Sequence, residues 1–358
     1  MVMADRDDVA TAPGVIAALD TVMLGQQLAA AVLRVPFRKP LAGPANPVVN
    51  VAAAVTREAV RSFMGFTSSL PVDEFRSIEQ ILDRLCSYVM PPVVASYGVT
   101  HRVTEIGGVP GILYEPVDAT PQALVLYLHG GGYIGTSPRM YAFFTAHLCR
   151  ETGCAVFVAD YRLAPEFPFP AGLDDALAVI DALEGHGIGL ERVVVAGDSG
   201  GGGLANTLVL RLRERGEVPA GLLLFSPEID LQLDEPSVTD NAATDILPWN
   251  IPTAAYLHGV DPREGIVSAV DADLTGFPPT FVCWGEQEMF RDPIRRYVDR
   301  LADAGVPHVG HEEEGMFHVF PILMPWSNPS RRVHRAVDTL VHRHLAPGRA
   351  PLDLSVLR

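Results

Sequence analysis

The stretch VVVAGDSGGG, Val193 to Gly202, contains the pattern G-x-S-x-G centred on Ser199. A five-residue pattern of this kind occurs by chance, so its surroundings decide its meaning. An apolar run precedes it and a stretch with helical spacing follows it, and this context predicts a nucleophile elbow, a tight strand-to-helix turn with the serine at its tip. Glycines on both sides let strand and helix approach, and the helix N-terminus favours developing negative charge. Ser199 is therefore the candidate nucleophile.

The chain around this elbow alternates short apolar runs with amphipathic stretches of helical length from about residue 100 onward. Near-continuous apolar strands that alternate with helices are typical of a parallel sheet covered on both faces. The predicted strands are 111–116, 123–129, 155–160, 192–198, 221–226, 280–284 and 309–314. The predicted helices between them are about 138–152, 171–186, 200–215, 290–304 and 328–345.

Two regions depart from this alternation. Residues 1–95 show helix-like spacing at 14–34, 50–64 and about 72–89, the last predicted to end before Pro91 and Pro92. Residues 232–270 are longer than a simple connection, which predicts an excursion over the sheet edge.

A serine needs a general base, and His318 in EEGMFHVFP is the best candidate because it follows the last predicted strand. His311 lies inside that strand and is the weaker choice. The base needs a carboxylate to orient it. That acid should follow the strand TFVCW, where Glu286, Glu288 and Asp292 compete.

A second glycine-rich stretch follows the strand ALVLYL: His129 and then three glycines. A tetrahedral intermediate carries an oxyanion that needs preset donors, and backbone N–H groups can crowd around it only where no side chains intervene. We therefore expect the amides of Gly131, Gly132 and Gly200 to be the donors. His129 is expected to shape the loop by hydrogen bonding.

The segment DYRLAPE places Asp160, Tyr161, Arg162 and Glu166 close together, either as a substrate clamp or as a structural network. Since buried charges of this kind need partners, we interpret them as supports of the glycine loop and the elbow. Asp198, beside the serine, is given the same supporting role.

These motifs taken together, HGGGY, DYRLAPEFPFPAGLDDA, GDSGGG and GMFHVF, resemble the bacterial hormone-sensitive lipase family of esterases over roughly residues 100–345. The resemblance implies an α/β-hydrolase fold, a mostly parallel central sheet flanked by helices, with a helical cap. It divides the chain into the N-terminal part of the cap (1–95), the first part of the core (96–231), a cap insertion (232–270) and the second part of the core (271–358).

The chain departs from the family pattern at two positions. Aligning EMFRD with the family's DPLRD places Glu288 where the family usually has Asp, which favours Glu288 over Asp292 as the acid. Gly200 stands where the family usually has Ala. Because Gly favours helix less by about 1 kcal/mol, we expect this donor to be less rigid.

Composition restricts the remaining choices. A formal net charge of −16 argues against nucleic-acid binding and against attraction to anionic membranes. The acidic N-terminus does not look like a signal peptide, and the apolar segment 22–33 is shorter than the ~20 residues of a membrane span. The four cysteines form no metal-like cluster and are expected to be reduced. We expect a cytoplasmic protein without metal or cofactor.

The sequence thus predicts a serine carboxylesterase for small-molecule esters. An amidase or N-deacylase with the same triad, and a non-catalytic small-molecule receptor on the same fold, remain alternatives. The resemblance implies substrates with short to medium acyl chains. The sequence leaves the oligomeric state open, with a homodimer as one alternative. Apolar side chains of the cap are expected to pack it onto the core or line the acyl pocket; they are Val22, Met23, Leu24, Leu28, Phe63, Met64, Phe66, Ile246, Leu247, Trp249, Ile251 and Tyr256.

Overall fold

The computed structural model describes residues 9–35, 45–248, 251–344 and 350–357. Its strands, in chain order, are β1 (Val99–Ile106), β2 (Val109–Pro116), β3 (Leu124–Leu128), β4 (Ala155–Ala159), β5 (Val193–Asp198), β6 (Gly221–Phe225), β7 (Thr280–Gly285) and β8 (His308–Glu313). They form one eight-stranded sheet in the order β1-β2-β4-β3-β5-β6-β7-β8. The β1/β2 and β2/β4 pairs are antiparallel, whereas all other neighbours are parallel.

Helices cover both faces of this sheet. In chain order they are α1 (Gly14–Arg34), α2 (Pro47–Thr67), α3 (Val72–Ser96), α4 (Ala142–Thr152), α5 (Ala171–Gly185), α6 (Ser199–Glu214), α7 (Pro236–Asp240), α8 (Thr253–Leu257), α9 (Arg291–Asp303), α10 (Phe320–Leu323) and α11 (Asn328–His344). One apolar cluster joins α5, α6 and α9 to the sheet, and a second joins α4 and α11 to its other face. Leu126 of β3 belongs to the first cluster and Tyr127 to the second, as the two-residue period of a strand requires.

All seven strands predicted from apolar runs form, with ends that differ by one or two residues. The sequence pattern missed β1, whose residues VTHRVTEI are half exposed and rich in polar side chains. This strand lies at the sheet edge and pairs only with β2. An edge strand with one wet face lacks the continuous apolar run by which the inner strands were recognised.

The prediction that the third helix ends before Pro91 and Pro92 is wrong, since α3 continues through both to Ser96. A proline inside a helix removes a backbone donor and crowds the preceding turn, at a cost of about 3 kcal/mol. The last turn of α3 offsets this by packing on the core: Val94 is 1% exposed, and the ring of Tyr97, which caps the helix, lies against Phe143 and His147.

Helices α1, α2 and α3 are here called the N-terminal helices, and residues 232–270 are called the insertion segment, whose described part contains α7 and α8. The two regions meet where Arg61 of α2 donates to the Asp245 carbonyl oxygen at 3.0 Å. Of the apolar residues expected to pack or line this region, Leu24, Ile246, Leu247 and Tyr256 are buried, whereas Val22 and Met23 are exposed. Trp249 lies outside the described residues.

Helix α1 is the one described helix whose length and composition alone would allow it to cross a bilayer. Only 22% of its most apolar window is buried inside the protein. Length and composition are weak evidence for a span, since the core helix of a globular protein passes the same test.

Candidate active site

Ser199 lies at the junction of β5 and α6, in a backbone conformation that L-residues rarely adopt, with φ of 52°. Non-glycine residues with positive φ persist where surrounding structure holds them, and they cluster at functional sites. The close packing here depends on Gly201, where a Cβ would overlap the carbonyl oxygens of Leu128 and His129 at the end of β3. The tight turn predicted from G-x-S-x-G is therefore present, and it holds the serine above the sheet edge.

The structure brings Ser199, His318 and Glu288 into one hydrogen-bonded chain. His318 Nε2 lies 2.9 Å from Ser199 Oγ, and His318 Nδ1 lies 2.8 Å from Glu288 Oε2. All three residues are buried, and Glu288 is fully so. With the ring proton on Nδ1 donated to Glu288, Nε2 is free to accept the serine proton.

Burial governs the electrostatics of this chain. It lowers the pKa of His318, so the imidazole is neutral at pH 7 and can accept a proton; the negative charges of Asp245 and Asp198 oppose that shift. Burial also raises the pKa of Glu288, against hydrogen bonds from the Gly285 amide and the Ser226 hydroxyl. The Gly285 amide donates to Glu288 Oε1 at 2.8 Å. These donors and His318 Nδ1–H surround Glu288 as a carboxylate requires.

The competing candidates lie elsewhere. Asp292 accepts a hydrogen bond from the Ser237 amide at 3.0 Å and pairs with Arg291, so it joins α7 to α9. Glu286 accepts from the Gly315 amide at 2.9 Å. His311 lies in β8 with its Nε2 3.0 Å from Glu313. None of the three has a hydrogen bond to Ser199 or His318 among the described residues.

The glycine loop after β3 reaches the elbow through Tyr133. The site that a Cβ of Gly200 would occupy lies 3.0 Å from the Tyr133 amide nitrogen and 3.1 Å from its ring. Gly131 and Gly132 both have positive φ, 120° and 61°. Within the described part of the chain, neither of their amides donates to a protein acceptor. The three predicted donors thus lie on two segments in mutual contact, with backbone amides free for a ligand.

Asp198 holds this loop in place. Its carboxylate accepts hydrogen bonds from the Gly130 amide at 2.9 Å and from the hydroxyls of Tyr127 and Tyr141 at 2.8 and 2.9 Å. Burial raises its pKa to about 6, and these three donors oppose the rise. The fully buried His129 places Nδ1 2.8 Å from Thr136 Oγ1, across the loop.

The DYRLAPE segment supports the loop through only some of the expected residues. Tyr161 donates to the His129 carbonyl oxygen at 2.6 Å, and Glu166 pairs with the buried Arg76 of α3, which also donates to the Ile134 carbonyl oxygen. By contrast, Arg162 is exposed and binds Asp175 of α5, away from the elbow.

The remaining member of this group, Asp160, follows β4, and its amide donates to the Pro110 carbonyl oxygen at 2.8 Å.

Among the described residues, no group of three or more His, Cys, Asp or Glu side chains could hold a metal ion. All four cysteines are free.

Sequence reasoning missed two residues that contact the acid and base segments. Ser226, after β6, accepts a hydrogen bond from the Val319 amide at 3.0 Å and has φ of 47°. Asp245, in the insertion segment, accepts hydrogen bonds from the amides of His318 and Met289. Neither lies in a recognisable motif; the one signal for Asp245 is an acid beside the apolar pair Ile246 and Leu247.

Comparisons with known proteins identify the fold and the family. Residues 125–322 match the model of a family described as having the alpha/beta hydrolase fold. The chain is 37% identical over 216 residues to an acetyl-hydrolase of Streptomyces hygroscopicus, covering 58% of this chain and 71% of the relative. It is 31% identical over 259 residues to an esterase of Acinetobacter venetianus, covering 70% and 83%. A crystal structure of an esterase from the bacterial hormone-sensitive lipase family superposes with a TM-score of 0.72 at 29% identity, covering 81% of this chain and 98% of that one.

Proposed function

The chain belongs to the α/β hydrolase fold family and, within it, to the bacterial hormone-sensitive lipase esterases; we propose that Ser199, His318 and Glu288 carry out its reaction. It is a carboxylic ester hydrolase, as the names of its relatives indicate. The single observation that supports the residue assignment is the continuous hydrogen-bonded chain from Ser199 Oγ through His318 to Glu288, beside free backbone amides.

In the first half of the reaction, Ser199 Oγ attacks the ester carbonyl carbon while His318 Nε2 takes its proton. Glu288 keeps the ring in the tautomer that accepts at Nε2 and stabilises the imidazolium that forms. The carbonyl oxygen becomes negatively charged and accepts hydrogen bonds from the amides of Gly131, Gly132 and Gly200. Each such donor contributes about 10²–10³ in rate.

Collapse of this intermediate expels the alcohol, which takes the proton from His318, and leaves an acyl group on Ser199. Water then enters, gives its proton to His318 and attacks the acyl carbonyl. In the second tetrahedral intermediate the bond to Ser199 Oγ breaks, which releases the acid, and His318 returns its proton to Ser199 Oγ. No metal or cofactor takes part in the proposed cycle.

The substrates we propose are short- to medium-chain esters, since relatives are named acetyl-hydrolase and esterase. Residues 1–95 and 232–270 would form a cap over the two core parts, 96–231 and 271–358. Contacts of the insertion segment with the glycine loop support this: Tyr256 stacks on Tyr133 with ring centroids 3.7 Å apart, and Pro252 lies 3.4 Å from the site of a Gly132 Cβ. The acyl pocket would lie beneath this contact.

Location and assembly are part of the proposal. Four free cysteines, three of them buried, fit a reducing cytoplasm. A homodimer would cover some of the exposed apolar side chains of α1, and light scattering on the purified protein measures this directly.

The test of the assignment is Ser199→Ala, assayed on p-nitrophenyl esters of increasing chain length. We expect hydrolysis to fall by at least about 10⁴-fold, because the nucleophile is lost while the fold is retained. Full activity in Ser199→Ala would overturn the assignment. Comparing each ester with its matching amide separates an esterase from an amidase, and we expect the ester to react faster.

A further inference from the structure

Asp245 is a fully buried carboxylate in the insertion segment, 43 residues before Glu288 in the chain and in no catalytic motif. Its Oδ1 accepts the amides of Ile246 at 2.7 Å and His318 at 3.0 Å, and its Oδ2 accepts the Met289 amide at 2.7 Å. One side chain therefore binds the backbone of the base and the backbone next to the acid. A bridge of this kind fixes two segments that the sheet alone does not join.

The turn that carries Asp245 also binds the acid segment through neutral groups. Asn241 Nδ2 donates to the Glu288 carbonyl oxygen at 2.9 Å, and Thr244 Oγ1 donates to the Gln287 carbonyl oxygen at 3.3 Å. Asp245 differs from both because it alone reaches His318 and because it alone adds a charge.

The carboxylate of Asp245 is one of three acidic groups that the structure describes near the His318 ring. The acidic groups that face the His318 ring are Glu288 from the acid segment, Asp198 from the end of β5 and Asp245 from the insertion segment. The Phe290 ring packs edge-on against the His318 ring, with the two ring centroids 5.1 Å apart. The negative charge of Asp245 favours the protonated imidazole and so opposes the lowering of the His318 pKa by burial.

We propose that Asp245 is a positioning residue for the acid–base pair, whose carboxylate fixes the backbones of His318 and Met289 and stabilises the imidazolium formed during turnover. The inference rests on the proposed function. It assigns to the insertion segment a part in the chemistry itself, in addition to any part in enclosing substrate.

A carboxylate is required here because both oxygens accept. Asparagine has the same shape, but its NH2 group would face one of the amide donors, so one of the two loops would lose its anchor. The imidazolium would also lose a nearby negative charge. We therefore expect the Asp245→Asn variant to lose kcat about 10- to 100-fold, with KM changed less than about threefold.

The pH profile separates this role from a merely structural one. The acid limb of kcat/KM reports the pKa of the base in the free enzyme. Removing the Asp245 charge lowers that pKa, so the limb should move to lower pH by about 0.5–1 unit. Loosening of the site would instead admit water to His318 and move the limb upward.

Two variants serve as controls. Thr244→Val removes a hydrogen bond from the same turn to the acid segment without changing charge, and Asp292→Asn removes a carboxylate that does not contact His318. Both should leave the acid limb in place. Circular dichroism confirms folding, and titration with an organophosphate counts reactive serines, so that kcat is expressed per competent site.

Each outcome decides the proposal. Folded Asp245→Asn with unchanged kcat and an unmoved limb overturns it, as does an equal shift in Thr244→Val. If Asp245→Asn does not fold, Asp245→Ser is measured by the same criteria, and failure of both to fold shows a structural role instead. Wild type and Ser199→Ala in the same panel report separately on the proposed function, and an NMR titration of the His318 ring reads the pKa without turnover.

Discussion

The nucleophile side and the acid–base side of this site are built in different ways. Ser199 and the glycine loop follow β5 and β3, neighbouring strands, and meet closely because Gly201 has no side chain to separate them. Glu288 and His318 lie 30 residues apart in loops after β7 and β8, and Ser226 and Asp245 hold these loops in place by accepting hydrogen bonds from their backbone amides. The first side is defined by close backbone contact, and the second by polar bridges between segments remote in sequence.

This difference determines how each side responds to change. Backbone contact leaves no room for even one added carbon, so a substitution there displaces strand, loop and helix together. A polar bridge can be weakened one hydrogen bond at a time, which gives graded losses of activity.

On the acid–base side, the largest effect is expected from Glu288→Gln. Its amide can offer NH2 to His318 Nδ1, which favours the wrong ring tautomer, so kcat should fall by about 10³–10⁴-fold. Stopped-flow or steady-state assay on a p-nitrophenyl ester measures this. The matched control is Asp292→Asn, with kcat within about threefold of wild type; the reverse result would show that Asp292 is the acid.

On the nucleophile side, we expect Gly201→Ala to be the most damaging substitution that adds a single carbon. Its Cβ would overlap the carbonyl oxygens of Leu128 and His129, so we expect a loss of about 1–3 kcal/mol in the free energy of unfolding and most of the activity. Denaturant unfolding measures the first quantity. Gly25→Ala, in α1 with nothing within 4 Å of its Cβ, should instead stabilise by up to about 1 kcal/mol. Equal effects would contradict the close-contact account.

A smaller effect is expected from Glu228, whose carboxyl group is buried. Glu228 is buried behind the elbow, and its Oε1 has no hydrogen-bond partner among the described residues. Burial raises its pKa to about 8. The folded protein therefore keeps this proton while the unfolded chain releases it above about pH 4.5, and stability falls as pH rises from there to about 8.

Glu228→Gln removes that titration. We expect the variant to gain stability over wild type with rising pH, by at most about 1.4 kcal/mol per unit, with activity within about threefold. Urea unfolding at pH 5, 6.5 and 8 measures it. A stability difference that is flat across pH would show that Glu228 is ionised or solvated in the folded state.

The same difference explains what the sequence could predict. The elbow and the glycine loop were found because close backbone contact leaves glycine in consecutive positions, a pattern visible without any structure. Glu288 needed a family motif to be preferred over Asp292, since a carboxylate after β7 is all that the local sequence shows. Asp245 and Ser226 could not be found, because their roles depend on which loops the fold brings together.

We expect Gly200 to be a less rigid donor than alanine would be. Its contact with Tyr133 gives the choice of glycine a second consequence. A methyl group at Gly200 would come within 3.0–3.2 Å of the Tyr133 amide and ring, tighter than most real contacts. Positions 200 and 133 therefore constrain each other in packing. Alanine can be introduced at 200 without penalty only after Tyr133 has shifted, and Tyr133 is itself held by its stack on Tyr256. Packing thus couples the turn that carries the nucleophile to the insertion segment, through Gly200, Tyr133 and Tyr256.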